Sequence, residues 1–258
     1  MASRTGVAPA DRPAVRAVLL DIDDTLVDTR AAFFAAIRAV AGTWLGHLGD
    51  DEYDEVALRW IADVGGHFRR YARGEISIGE QRRRRADDLQ ATFGGAELDD
   101  AAFAAWDAAY GATFRAAWRL HDDVRPFLDA IAAAGRPVGA LSNSSRELSV
   151  EKLAHVGLTT RLPLLVSPDD LGFGKPDPRV FALACERLGH DPAETAYVGD
   201  ELDVDAEAAT AAGLLGVWLD RRDAGARTAE SGGSVVPRAV DLHGVLRLLD
   251  LGGPSARR

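Results

Sequence analysis

Asp21 and Asp23 stand one residue apart, directly after the apolar run Ala17–Leu20, in the stretch VLLDIDDTLVD (Val18–Asp28). An apolar run that ends in clustered carboxylates reads as a buried strand delivering acids to its carboxyl end, where open α/β sheets build their sites. Two carboxylates at this spacing suit hard-cation binding, and also a nucleophile beside a proton donor. An acidic turn after a strand would look the same, because turns favour Asp. Asp24 reads equally as a ligand or as a cap of the following turn, so other parts of the chain must decide.

Lysine usage singles out another residue. Of 30 basic residues only Lys152 and Lys175 are lysines. A lysine kept against such an arginine bias suits a place that needs a compact point charge instead of a planar fork. Lys152 falls in a helical pattern with charged neighbours and is expected at the surface. Lys175 lies in GFGKPDP, between Gly and Pro, where no helix face explains it. A functional loop position is the reading there.

The elements that must position these groups are legible in outline. Val15–Leu20 reads as the first strand. From Thr29 to about Trp118 the pattern is helical throughout. Phe33, Phe34, Ile37 and Val40 share one face. Tyr53 to Tyr71 forms a longer pattern that Gly65–Gly66 interrupts. Ile78–Phe93 is a third helix, and Phe103, Trp106, Tyr110 and Phe114 mark a fourth. The aromatic stripes read as the core of a small helical bundle. Arg82–Arg85 covers every face of its helix and reads mainly as a solvated run.

After Trp118, strands and helices alternate. Asp122 or Asp123 can cap a helix ending at Ala134 and Gly135. Pro137–Leu141 is a strand, Ser145–His155 a helix, Leu162–Val166 a strand and Asp177–Leu188 a helix with Pro178 in its first turn. Thr195–Val198, the helix Val204–Ala212, the strand Leu215–Leu219 and a last helix Leu242–Leu249 complete the order, with a Gly/Ser-rich loop at Ser231–Ser234. Met1–Pro13 and Leu251–Arg258 read as frayed ends. The alternation predicts an α/β fold with a doubly wound parallel sheet. The first strand is far in sequence from its partners, so the helical block is an insertion after it, where a lid would sit. The expected division is 14–30 and 118–258 for the α/β core and 31–117 for the helical cap.

Composition bounds the function. The chain has 258 residues, 47% of them hydrophobic and 27% charged, as in ordinary globular proteins. A net charge of −10 argues against a nucleic-acid or anionic-membrane surface. Cys185 is the lone cysteine, which excludes a disulfide framework and a cysteine-rich zinc site. His47, His67, His121, His155, His190 and His243 show no metal-ligand spacing. With no 18-residue apolar run and no signal-peptide pattern, a cytoplasmic location is the default expectation.

Four strand ends then carry polar groups: Asp21 and Asp23; Ser142, Asn143 and Ser144; Lys175; and Asp200 with Asp203 and Asp205. In a parallel sheet these ends lie side by side. They offer a nucleophilic carboxylate, a second acid, a hydroxyl with backbone N–H groups, one ammonium, and carboxylates for a cation. That set suits phosphoryl transfer through an aspartyl-phosphate.

The order and spacing resemble the haloacid dehalogenase (HAD) superfamily. DIDDTL matches its first motif, LSNSS the second, GKPDPRVF the third and VGDELDVDAEAATAAG the fourth, over a span from about Val15 to Asp220. The helical insertion matches the cap of that superfamily's first subclass. The resemblance implies a Rossmann-like core with an inserted α-helical cap, and a Mg²⁺-dependent phosphatase acting on a small phosphorylated metabolite. It implies Asp21 as nucleophile, Asp23 as acid and base, Ser142 and Asn143 as phosphoryl-binding groups, and Lys175 as the neutralising charge. It implies Mg²⁺ on the Asp21 carboxylate, the Asp23 carbonyl and Asp200, with Asp205 behind them orienting Lys175 or a metal water. Many relatives carry Thr-Asn-Gly where this chain has Ser142-Asn143-Ser144, so the hydroxyl is kept and the glycine is not. A phosphomutase would share every core motif, and a non-catalytic binding module would be expected to lack Asp21, Lys175 or Asp200. The cap residues that set specificity and the oligomeric state stay open.

Overall fold

The structure is a computed structural model and describes residues 14–222 and 236–251. Ser231–Ser234 and Met1–Pro13, expected as a loop and a frayed end, lie outside the described residues, as does nearly all of Leu251–Arg258. The chain divides into two compact units. One is built from residues up to Thr25, Asp122–Ser142 and the chain from Thr159 onward; the other is Leu26–His121 with Asn143–Leu158.

In the first unit, β1 (Ala17–Leu20), β2 (Val138–Leu141), β3 (Leu164–Val166), β4 (Thr195–Gly199), β5 (Leu215–Leu219) and β6 (Arg238–Ala239) form one sheet in the order β3-β2-β1-β4-β5-β6. Every pairing is parallel. All four residues of β1 are fully buried, as a central strand covered on both faces requires. β1 is flanked by β2 and β4, so the strand order reverses at β1. The crevice beyond such a reversal is where open α/β sheets place ligands. Leu20 pairs with Ala140 on one side and Val198 on the other, which sets Asp21 level with the ends of β2 and β4. β6 has only two residues, too short for a period-2 pattern to reveal.

The helices of this unit end where the sequence says they should. Val124–Ala133 is followed by Gly135 at φ +64°, and Pro178–Leu188 by Gly189 at φ +80°. The expected helix Val204–Ala212 differs. Leu202–Glu207 is a widened, π-type turn, and only Ala208–Ala211 is α-helical. Asp205 and Ala206 both donate their amides to the Glu201 carbonyl, which adds a residue to the turn.

In the second unit, α1 (Thr29–Trp44), α2 (Asp50–Ala62), α3 (His67–Ala72), α4 (Ile78–Phe93) and α5 (Asp100–Ala116) are joined by the helix Arg146–His155. Asp28, Ser77 and Asp99 cap their helices with side-chain acceptors. The long second pattern breaks between Asp63 (φ +46°) and Gly66 (φ +65°), and the Asp63 carboxylate accepts the amides of Phe68 and Arg69 at 3.0 and 3.2 Å. The aromatic stripes form one column. Trp60, Trp106, Tyr110, Phe114 and Trp118 follow one another, with centroids 5.6 Å apart for Trp60–Trp106 and 5.3, 5.7 and 5.5 Å for the next three pairs.

Two readings of basic residues resolve here. Lys152 is not a surface residue: it is 1% exposed, with Nζ 5.7 Å from the Phe114 centroid and 5.5 Å from that of Trp118. A long aliphatic stem ending in a cation packs against aromatic faces, which charge patterning alone does not reveal. The four arginines of α4 are engaged inside the unit. Arg82 meets Asp107 at 2.8 Å, Arg83 meets Asp87 at 3.0 Å, and Arg84 meets Glu80 at 2.6 Å. Arg85 donates to the Trp60 carbonyl and lies 3.8 Å over its ring.

Trp106, second in the column and in ring contact with Trp60 and Tyr110, is 1% exposed. Trp106→Ala should therefore destabilise the helical unit by about 3–5 kcal/mol, the usual cost of deleting a large buried aromatic. Denaturant unfolding followed by circular dichroism checks this, and a loss below about 1 kcal/mol would mean that the column does not support the unit.

Candidate active site

The site grows from the carboxyl end of β1. The Asp21 amide donates to the Val198 carbonyl at 2.9 Å, so the first residue past the strand is still held by the neighbouring one. Asp21 is 4% exposed and Ser142 is 1% exposed, whereas Asp23, Asn143 and Ser144 are half-buried. The Ser142 amide is tied to the Val166 carbonyl at 3.1 Å, which fixes the end of β2 in the same way.

Lys175 enters from a loop built to be stiff. The Asp177 amide returns to the Gly174 carbonyl at 3.0 Å, and the Asp177 carboxylate caps the following helix at the Arg179 amide, 2.9 Å away. Phe181 of that helix then packs edge-on against Tyr197 of β4, with centroids 5.1 Å apart. The ammonium donates to Asp21 Oδ1 at 2.6 Å, Asp205 Oδ1 at 2.7 Å and Tyr197 Oη at 2.9 Å. An ammonium has three protons and accepts nothing, so these contacts use its full donor capacity. Tyr197 must then act as acceptor toward Lys175. Its own proton goes to Asp205 Oδ1 at 3.1 Å or to the Leu141 carbonyl at 3.2 Å.

Asp205 is almost fully buried, and its other oxygen accepts the Glu201 amide at 3.0 Å. The widened turn carries it inward. Gly199 permits the approach, because a Cβ there would stand 2.3 Å from Asp205 Cγ. Asp200 follows Gly199, and its carbonyl accepts the indole N–H of Trp218 at 2.9 Å.

Asp21, Asp200 and Asp205 each place a carboxylate oxygen within 4.8 Å of the others, a group that could hold a metal ion. Three carboxylates against one ammonium leave an excess of two negative charges, the charge of one divalent cation. The protein electrostatics express that excess. Burial pushes the Asp21 carboxyl up to about 7; Lys175 opposes this, and the charges of Asp205 and Asp23 add to it. Burial also drives Asp200 well above the carboxylate range, with Asp21, Asp205, Asp24 and Glu201 adding to it. Lys175 is raised well above its ordinary value by Asp205 and Asp21, against its own burial. A hard cation among all-oxygen donors fits this set, since it would displace the protons that crowding otherwise retains.

Asp21, Lys175, Asp200 and Asp205 are thus brought together as their spacing suggests, with Asp23 two residues along the loop from Asp21. The sequence reading did not single out Tyr197 or Trp218. Each lies in a strand, where an aromatic residue reads as packing, and only the phenol or indole N–H distinguishes it. A tyrosine two residues before Gly199 shares that glycine's strand face, which was the one available signal.

The description "haloacid dehalogenase-like hydrolase" is that of a family model matching residues 15–213. The glyceraldehyde 3-phosphate phosphatase of Methanopyrus kandleri is 30% identical over 80% of this chain and 84% of its own length. The phosphoglycolate phosphatase of Escherichia coli O157:H7 is 29% identical over 80% of this chain and 81% of its own. Among solved structures, the HAD-hydrolase YfnB from Bacillus subtilis, bound to magnesium, superposes with a TM-score of 0.71 at 21% identity, covering 92% of this chain and all of its own. The chain belongs to the haloacid dehalogenase-like hydrolases, with a helical cap of the first subclass inserted between β1 and β2.

Proposed function

We propose that this hydrolase is a Mg²⁺-dependent phosphatase that cleaves a small phosphate monoester through an aspartyl-phosphate on Asp21. The observation that carries the reading is the 2.6 Å contact of Lys175 Nζ with Asp21 Oδ1, beside the carboxylates of Asp200 and Asp205. In the first step an Asp21 oxygen attacks phosphorus, the bond from phosphorus to the ester oxygen breaks, and Asp23 gives that oxygen its proton. In the second step Asp23 takes a proton from water, whose oxygen attacks the same phosphorus. The Asp21–phosphorus bond breaks, inorganic phosphate leaves, and both carboxylates return to their starting state. The Ser142 hydroxyl and the neighbouring Asn143 bind phosphoryl oxygens, and Lys175 balances the charge that gathers on them. Mg²⁺ would sit on the Asp21 carboxylate, the Asp23 carbonyl and Asp200, with Asp205 holding Lys175. When bound, it supplies charge neutralisation for the phosphoryl oxygens. Asp23 argues against dehalogenation, because a departing halide needs no proton. The two phosphatase relatives, one named for glyceraldehyde 3-phosphate and the other for phosphoglycolate, favour a small phosphorylated metabolite as substrate.

A panel of phosphorylated metabolites, assayed with Mg²⁺ and with EDTA, tests the activity directly. Turnover should vanish in EDTA and return with Mg²⁺. Asp23→Asn should lose far more activity on an alkyl phosphate than on p-nitrophenyl phosphate, whose leaving group hardly needs a proton. Equal losses on the two substrates, with chemistry rate-limiting, would remove Asp23 from the acid role.

Lys175→Arg keeps the charge and changes its shape. The cage of Asp21, Asp205 and Tyr197 closes on one nitrogen at 2.6–2.9 Å, and a planar fork cannot place three donors there from one point. The expected result is a loss of roughly a hundredfold in kcat, as for a misplacement of about 1 Å. Near-normal turnover would show that only charge matters at this position.

A further inference from the structure

Arg221 lies just past β5, and its guanidinium reaches the loop that leaves β1. Its Nε and Nη2 donate to the Thr25 carbonyl at 3.2 and 2.8 Å. Its Nη1 and Nη2 also lie 3.0 and 2.9 Å from the two carboxylate oxygens of Asp123. Asp123 Oδ2 accepts the Leu242 amide at 2.8 Å as well, at the start of the last helix. The Arg221 and Asp123 side chains are 15% and 10% exposed, so the pair is largely out of water. Asp123 occupies the N-cap position of the helix Val124–Ala133 but makes no side-chain cap bond there. The capping role expected for it gives way to Arg221 and Leu242.

The carbonyl that Arg221 holds closes the loop bearing the candidate nucleophile and acid. Asp24, inside that loop, has φ +54°, a left-handed conformation that a residue with a Cβ adopts rarely. Such backbone persists where its surroundings over-determine it. The Asp21 amide is pinned to Val198 at one end of the loop. At the other end the Thr25 hydroxyl is buried and, among the described residues, has no hydrogen-bond partner. The far end is therefore gripped through its carbonyl.

We infer that Arg221 is a positioning residue for the loop Asp21–Thr25: its fork, braced by Asp123, holds the Thr25 carbonyl and so fixes where the Asp21 and Asp23 carboxylates stand. A lysine could not grip the carbonyl and both carboxylate oxygens at once, because the grip uses three nitrogens of one rigid plane. The catalytic consequence rests on the phosphatase reading; the hold on the loop does not. Because the fork's contacts run to Thr25 and Asp123 and not to the proposed phosphoryl-binding groups, its loss should appear in kcat and leave KM almost unchanged.

The test compares the full chain with Arg221→Lys and Arg221→Gln, and with Asp123→Asn as a milder removal of the brace. Hydrogen exchange by mass spectrometry, without metal, should show the amides of residues 22–26 exchanging roughly tenfold faster or more in both Arg221 variants. Peptides from Asp100–Ala116 should exchange as in wild type. On p-nitrophenyl phosphate with Mg²⁺, kcat should fall about tenfold or more and KM should move less than about threefold. Asp123→Asn should shift the same amides in the same direction by less. Loop exchange unchanged in the folded variants overturns the proposal, and so does faster exchange with an unaltered kcat. If the wild type hydrolyses no phosphate ester, the proposed function fails while the exchange data still decide whether Arg221 holds the loop.

Discussion

One buried ammonium makes the carboxyl end of this sheet possible. Lys175 is 8% exposed and meets two carboxylates and a phenol at hydrogen-bond distance. Burying an ion costs several kcal/mol unless its partners are close and saturated. Here each ammonium proton has an acceptor, and the acceptors are themselves fixed. Asp205 is tied to the Glu201 amide and Asp21 to the Val198 carbonyl, while Tyr197 lies within hydrogen-bond distance of the Leu141 carbonyl. The arrangement spreads one positive charge over two acids and, among the described residues, pairs Asp200 with no cation. That imbalance suits the site to a further cation, which the carboxylates of Asp21, Asp200 and Asp205 could hold.

The fold serves this cluster by bringing separate stretches of chain to the point where strand order reverses. Asp21 follows β1, Ser142 follows β2, the loop after β3 contributes Lys175, β4 contributes Tyr197 and Gly199, and Asp200 follows it. Small departures from regular structure complete it. The widened turn over Leu202–Glu207 swings Asp205 inward, and Gly199 leaves it room. Trp218, on β5, and Arg221, just beyond it, reach back to hold carbonyls on two of the loops, at Asp200 and Thr25. The chemistry is therefore carried by strand ends and tuned by a neighbouring strand that contributes no acid to the cluster.

Much of this was legible from residue order. The apolar run before Asp21, the glycines after helices and the isolated Lys175 mark strand ends, helix ends and a special loop, because each signal is local. The strand Leu215–Leu219 and the helix Ile78–Phe93 have the expected bounds. What escaped depends on contacts distant in sequence. Lys152 looks like a surface lysine until the aromatic column is assembled around it. Tyr197 and Trp218 look like packing until their polar atoms find partners. Asp123 looks like a helix cap until Arg221, 98 residues later, competes for its carboxylate. The widened turn at Asp205 breaks helical periodicity by one residue, which no propensity records.

The proposed mechanism requires Asp21 to carry the phosphoryl group. Asp23→Asn should slow release of that group more than its formation from an activated ester, because release needs a base to deprotonate water. Acid-quenching this variant during turnover of p-nitrophenyl phosphate with Mg²⁺, followed by peptide mass mapping, measures the covalent state directly. The expected result is the added mass of one phosphoryl group on the peptide bearing Asp21, lost on treatment with hydroxylamine and absent from the Asp21→Asn, Asp23→Asn double variant. A phosphoryl group found on another residue, or substrate consumed with no labelled enzyme at any quench time, would contradict it.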